Sequence, residues 1–410
     1  MFTMLEARIV LIAFLAFNSA IGVTYGSYGP LLTSIQQQFN ASRGLASMGI
    51  SMCLISVALA SPIVGIALKR WRVRSVLITG TLLSMVGYLL LTQVSSIWEL
   101  LAIYGLLIGP GQAASAVIPN STLIGRWFVQ GRGKALGIMN IPLATMLVPL
   151  LASYVLVTFG FRAVFLTNAA IYALLLPFLF LIIETPESIG RKPRGAEISA
   201  AGANDSGSEL TTMDILRRRD FWLLSIGVSI AYSASIIVVV QLVPLLMGHG
   251  LDLKSASRIL SIYGVSLAVG TVLYGWLSDR VGGNTAYMIC AFMIVPPLLA
   301  FIFVPPAAWA YTLLAVVAAL PIGAVGTLHA TAASELFGQR SFSHMMGLSY
   351  LVTLPATTVS APLAGYAYDL TGSYNPALLG TAIMIFAAGI MFWMTAQRYR
   401  DVSRVVLSQA

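Results

Sequence analysis

The sequence predicts an all-α, polytopic membrane protein of twelve transmembrane helices in two six-helix bundles. Three observations predict it. Of 410 residues, 58% are hydrophobic and only 9% are charged, whereas a soluble domain is about 25% charged. Apolar runs of the length needed to cross a hydrocarbon core, about 20 residues, recur along the whole chain. A long polar break falls after the sixth of them.

The first six spans run 9–38, 46–68, 75–95, 100–124, 135–158 and 163–183. The second six run 221–246, 259–278, 285–304, 308–334, 345–368 and 375–396. None contains Asp, Glu, Lys or Arg, as hydrocarbon demands of a lipid-facing helix. The first run is too long for one untilted span, so part of it projects beyond the bilayer. Arg8, the run from Ile9 to Phe17, and Ser19-Ala20 resemble a signal peptide. The apolar run continues well past Ala20, which favours a span.

The break over 184–220 carries Pro186, Gly195, Ala201-Gly202-Ala203 and Ser206-Gly207-Ser208. Such composition cannot bury a core and reads as a flexible linker. The domain reading is therefore a bundle over 1–184, a linker over 185–219, a bundle over 220–397 and a tail over 398–410.

Net charge is +9. With the N-terminus inside, 19 Lys and Arg fall on inner turns and 4 on outer ones. The positive-inside rule then places both termini in the cytoplasm and the protein in the plasma or inner membrane. Arg217-Arg218-Arg219 reads either as a topology signal or as a contact for anionic lipid headgroups. The basic balance needs no nucleic-acid partner. Cys53 and Cys290 lie in apolar spans and read as small buried hydrophobes. No metal-spaced Cys/His cluster exists, and no cofactor is expected.

Landmarks of the first half recur about 210 residues further on, as expected of an internal repeat. Gly65-x-x-x-Lys69-Arg70 matches Gly275-x-x-x-Asp279-Arg280, and Phe128-x-Gln130 matches Phe337-x-Gln339. Pro30-Leu31-Leu32 matches Pro244-Leu245-Leu246, and Gly160 matches Gly372. Parallel repeats of this kind are one architecture of secondary transporters.

Several stretches carry a family resemblance: Tyr25-Gly26-Ser27-Tyr28-Gly29-Pro30, then Ser42-Arg43; Arg126-Trp127-Phe128, then Arg132-Gly133-Lys134-Ala135-Leu136-Gly137; Asp220-Phe221-Trp222; and Ala364-Gly365-Tyr366-Ala367-Tyr368-Asp369. Along nearly its whole length the chain resembles a major facilitator superfamily transporter, nearest to the monocarboxylate porter and oxalate/formate antiporter branch. The resemblance implies alternating access, with a cavity lined mainly by spans 1, 4, 7 and 10, with 2, 5, 8 and 11. It also implies a gating motif in which Gly275 admits a neighbouring helix and Asp279 pairs with a cytoplasmic Arg. Gly275, Asp279, Arg280, Arg126 and Arg132 are the expected gating residues. In the first-half copy Lys69 replaces the acid and Arg72 the second glycine. The branch's anion carriers place an Arg where this chain has Thr271. A dicarboxylate therefore fits poorly, and a monocarboxylate with a large apolar part or a neutral amphiphile fits better.

Position nominates the polar residues that could meet a solute: Tyr25, Gln112, Asn140, Tyr232, Gln241, Thr271 and Tyr350. Asn18, Gly22, Tyr25 and Gly29 fall on one face of span one at helical spacing. Ser and Thr in these spans could equally bond back to their own helix, and the glutamines could join helices. Gly22-x-x-x-Gly26, Gly105-x-x-x-Gly109 and Gly133-x-x-x-Gly137 read as close-packing sites, and Gly109-Pro110-Gly111 as a bend. His329 is the one His, Asp, Glu, Lys or Arg within any span. It reads as a packing residue or as a proton-linked gate, since small shifts carry histidine through physiological pH. The expected partners are a small organic solute, a co-transported proton and membrane lipid, with the chain a monomer. Other readings are an exporter of neutral or amphiphilic compounds and a non-transporting sensor. An enzyme is disfavoured, because no acids cluster within the spans.

Overall fold

Hydrocarbon satisfies no backbone hydrogen bond, so apolar runs of this length must close their own bonds as helices. The computed structural model describes residues 3–128, 132–191, 210–304 and 307–409. Residues 192–209 of the expected linker, Gln130 and the side chain of Arg132 lie outside the described residues.

In chain order the helices are α1 (Met4–Phe39), α2 (Arg43–Arg70), α3 (Val73–Leu91), α4 (Ile97–Trp127), α5 (Ala135–Phe159) and α6 (Phe161–Phe180). A short helix, Thr212–Arg217, precedes α7 (Arg219–Gly248). Then come α8 (Leu253–Val281), α9 (Gly283–Phe303), α10 (Ala308–Gly338), α11 (residues 339–371) and α12 (Asn375–Gln409). Gly338, at φ +74°, separates α10 from α11. Eleven of these helices are long and apolar enough to cross a membrane among the described residues. The remaining one, α11, is diluted by Ser349, Thr353, Thr357, Thr358 and Ser360.

Packing divides the chain into two units. One is Met1–Ala41 with Leu45–Ser206; the other is Ser42–Gly44 with Gly207–Ala410. In the first unit, Ile9, Ala13 and Ala16 of α1 pack with Leu123, Ile124 and Trp127 of α4 and Leu179 of α6. Large apolar side chains also point outward, with Leu106 74% exposed and Leu174 71% exposed. That outer surface is stable only if its solvent is lipid.

Small residues set the closest helix crossings, as membrane packing requires. In the first unit a Cβ on Gly80 would lie 2.7 Å from the Gly111 carbonyl oxygen, and one on Gly111 2.8 Å from that of Gly80. This fixes α3 on α4. Gly22 and Gly26 meet α5 at Ala144 and Val148, and Gly109 meets Ser56 of α2. These glycines pack as their spacing predicts. Gly137 and Gly275 do not: a Cβ on either would meet nothing within 4 Å. In α8 the close approach falls at Gly270, against Leu320 of α10.

Three helices of the first unit are interrupted. α1 spans 36 residues and is interrupted by a wide turn at Ser19–Val23. α4 has a wide turn at Tyr104–Ile108 and breaks at Ala116, where ψ is −116°. The bend therefore lies on either side of Gly109-Pro110-Gly111 and not at the triad itself. α5 is broken at residues 140–142, where Pro142 supplies no backbone donor. α1 ends at Asn40 with φ +46°, a conformation that asparagine tolerates.

Candidate functional site

In the first unit the polar core gathers where α1 and α4 are loosened. Gln112 is 1% exposed. Its Nε2 donates to the Ala20 carbonyl at 3.2 Å, inside the wide turn of α1. Its Oε1 accepts from the Cys53 thiol at 3.1 Å, and the Tyr25 phenol lies beside it. Wide turns leave carbonyls without their usual helical partners, and Gln112 serves one of them.

Asn18 repairs the break in α5. Its Nδ2 donates to the Ile141 carbonyl at 3.0 Å, and its Oδ1 accepts from the Ala144 N–H at 2.8 Å. Asn18, Gly22 and Gly26 thus face α5 while Tyr25 faces α4, so the expected single face is split by the wide turn. Asn140 is exposed, and its amide returns to the Leu136 carbonyl at 3.0 Å. Behind this cluster Tyr88 donates to Thr24 at 3.1 Å, stacks on Tyr172 and meets Tyr104 edge-on.

In the second unit α7, α10 and α11 bring Tyr232, His329 and Tyr350 together. The His329 ring lies 6.3 Å from that of Tyr232 and 5.5 Å from that of Tyr350, edge to face with both. The two phenols lie beside each other. His329 is wholly buried, and its Nε2 lies 3.0 Å from the Ser349 hydroxyl. Its Nδ1 has no hydrogen-bond partner among the described residues. Tyr350 is 50% exposed, so this cluster has one open wall. Ser229 and Thr353 meet at 3.4 Å beside it, while each also bonds back within its own helix. Nothing in the sequence singles out Ser349, because the spacing does not show that residue 349 lies against residue 329.

Two nominated residues serve packing. Thr271 donates to the Gly323 carbonyl at 2.7 Å and shares that proton with Leu267 at 3.0 Å, so it joins α8 to α10. Gln241 is 2% exposed. It donates to the Ala361 carbonyl at 3.0 Å and accepts from Tyr374 at 2.7 Å. Tyr374 in turn accepts from Arg43 at 3.1 Å, whose guanidinium lies 3.8 Å over the Tyr368 ring. The carboxylate of Asp369 takes the N–H groups of Arg43 and Gly44 at 2.9 and 2.8 Å.

The residues expected to gate divide likewise. Arg126 pairs with Glu184 at 3.1 Å, and Glu184 also accepts the N–H groups of Val73 and Arg74 at the start of α3. In the second unit Glu335 caps α9 through Gly283 and Asn284. Asp279 sits in the last turn of α8, exposed and without an ion pair among the described residues. Its neighbour Arg280 lies 3.8 Å over the Trp276 ring. Arg126 thus has its carboxylate partner in Glu184, while position 69 carries a lysine. Among the described residues no three His, Cys, Asp or Glu are grouped to hold a metal.

Comparison with known proteins agrees with this architecture. The sequence matches the Major Facilitator Superfamily over residues 11–354. It is similar to monocarboxylate transporter 13 of Rattus norvegicus, 25% identical over 387 residues and covering 93% of this chain and 87% of that one. It is similar to the MFS-type transporter YcxA of Bacillus subtilis (strain 168), 22% identical with 91% of each chain covered. A solved D-xylose-proton symporter shares the fold at a TM-score of 0.76 and 16% identity, over 95% of this chain and 97% of that one. With its helical spans, its paired sets of landmarks and this match, the chain belongs to the Major Facilitator Superfamily and is a multi-pass membrane transporter.

Proposed function

We propose that the protein carries small monocarboxylates with an apolar body, together with a proton, by alternating access. The observation that carries this reading is the free Nδ1 of His329 in its buried tyrosine cluster. A lone charge in such a site is costly, and one paired with an opposite charge much less so. A proton on the imidazole and a carboxylate beside it form a neutral pair, so each favours the binding of the other. The rings of Tyr232 and Tyr350 suit an apolar or aromatic solute body. A dicarboxylate would bring a second negative charge that one proton cannot balance. The names of the monocarboxylate-transporter relatives support the same substrate class.

Within the first unit, Tyr25 and Gln112 are the proposed solute contacts, and Arg126 with Glu184 the proposed gating pair. The distribution of 19 cations to 4 supports cytoplasmic termini.

The test is uptake of labelled phenylacetate into proteoliposomes under an imposed pH gradient. Accumulation that collapses with a protonophore, with no accumulation of oxalate, is expected. Phenylacetate uptake indifferent to the gradient, or a preference for oxalate, would refute the reading. The cluster holds no fixed cation, which also favours neutral amphiphiles; gradient-driven movement of a neutral aromatic in place of the acid would select that reading.

A further inference from the structure

The turn between α2 and α3 gathers cations, three of them without an ion pair among the described residues. Lys69, Arg70, Arg72 and Arg74, with Arg126 from the end of α4, line one cavity of about 570 Å³. The one carboxylate in its lining, Glu184, is already engaged by Arg126 and by the N–H groups of Val73 and Arg74. Lys69, Arg70 and Arg72 have no ion pair among the described residues. Like charges brought this close repel, and a bound anion removes that cost.

A second cavity of about 410 Å³ adjoins the first and shares Trp71 with it. It is an apolar groove on α2, α3 and α4, lined by Leu59, Ile63, Ala67, Leu83 and Leu106 among others. Leu59 and Ile63 are each 68% exposed there. Trp71 is 64% exposed, and tryptophan favours the headgroup level of a bilayer. Passing from one cavity to the next, the chemistry runs from cationic to amphipathic to apolar. A phospholipid presents the complementary order from head to tail.

We propose that the first unit binds an anionic phospholipid, with its phosphate in the basic cavity and an acyl chain in the groove. Arginine forks suit phosphate oxygens, and basic pockets between membrane helices take anionic headgroups. A zwitterionic lipid would add its own cation to a cavity that already has an excess. Free phosphate would fill the cavity but gain nothing from the groove. Lys69 and Arg72, where this chain departs from its second-half repeat, supply the specificity.

Native mass spectrometry of the delipidated, full-length protein in detergent tests this. The probes are phosphatidylglycerol, phosphatidylcholine with the same acyl chains, and inorganic phosphate. Phosphatidylglycerol is expected to be retained over phosphatidylcholine. Lys69→Gln combined with Arg72→Gln should weaken it by about tenfold or more, at roughly 1 kcal/mol per cation lost. The charge-keeping pair Lys69→Arg with Arg72→Lys should bind as the parent does. Gly105→Leu, which fills the groove, should weaken lipid and spare phosphate. Equal retention of the two lipids overturns the proposal. So does undiminished phosphatidylglycerol binding by the glutamine pair, or its loss from the charge-keeping pair. Inorganic phosphate binding as tightly as lipid, with Gly105→Leu silent, would make this a free-anion site and also overturn it.

Discussion

His329 Nε2 lies 3.0 Å from the Ser349 hydroxyl, and the other ring nitrogen has no hydrogen-bond partner among the described residues. One nitrogen thus fixes the ring while the other stays available. Glutamine can keep a hydrogen bond to Ser349 but cannot take up a proton near neutral pH. For His329→Gln, uptake under a pH gradient should fall to the rate seen without one, while exchange at equal pH persists. A full response to the gradient in the variant would remove His329 from the coupling step.

Gly270 and Gly323 form a reciprocal contact between α8 and α10. A Cβ on Gly270 would overlap the Leu320 carbonyl, and one on Gly323 the Leu267 carbonyl. Thr271 adds its hydroxyl bond to Gly323 at the same crossing. Gly270→Ala or Gly323→Ala should each cost about 1–3 kcal/mol through overpacking, read as a lower melting temperature in detergent. Gly275→Ala, where the space is open, should leave melting unchanged.

Glu184 and Glu335 do matching work in the two units. Each caps a helix N-terminus with both carboxylate oxygens, on α3 and α9. Glu184→Ala should cost about 1–2 kcal/mol, the worth of a good cap, and Glu335→Ala a similar amount. Because Glu184 also holds Arg126, only its variant should change the transport rate as well as stability. An equal effect of both variants on transport would deny Arg126 a gating role.

The apolar runs made the helices legible, and the spacing of Gly22, Gly26 and Gly109 made several crossings legible. Both signals are local. The hydrogen-bonding partners were not local: Glu184 reaches back 111 residues to Val73, and Ser349 lies 20 residues from His329 on another helix. Thr271 reads as a cavity residue in the sequence because the anion carriers of the resembling branch place an Arg there. The carbonyl of Gly323 that receives its proton is visible only once α8 and α10 are packed. The wide turn at Ser19–Val23 shifted Tyr25 out of the face that regular spacing assigned to it.

Asp252 caps α8 by accepting the N–H groups of Lys254 and Ser255 at 3.1 and 3.3 Å. Bonds from the Ser255 hydroxyl and N–H hold its carboxyl below the usual range. A carboxylate whose folded pKa is lowered stabilises the fold above its unfolded value, near 4. That contribution is lost as pH falls from there through the lowered folded value. Melting temperature should therefore drop on acidification below pH 4 in the parent, and less so in Asp252→Asn, which keeps a capping oxygen without a titrating proton. At pH 7 the Asn variant should melt close to the parent and Asp252→Ala below both. Identical acid profiles for parent and Asn variant would show that Asp252 contributes nothing to the pH dependence.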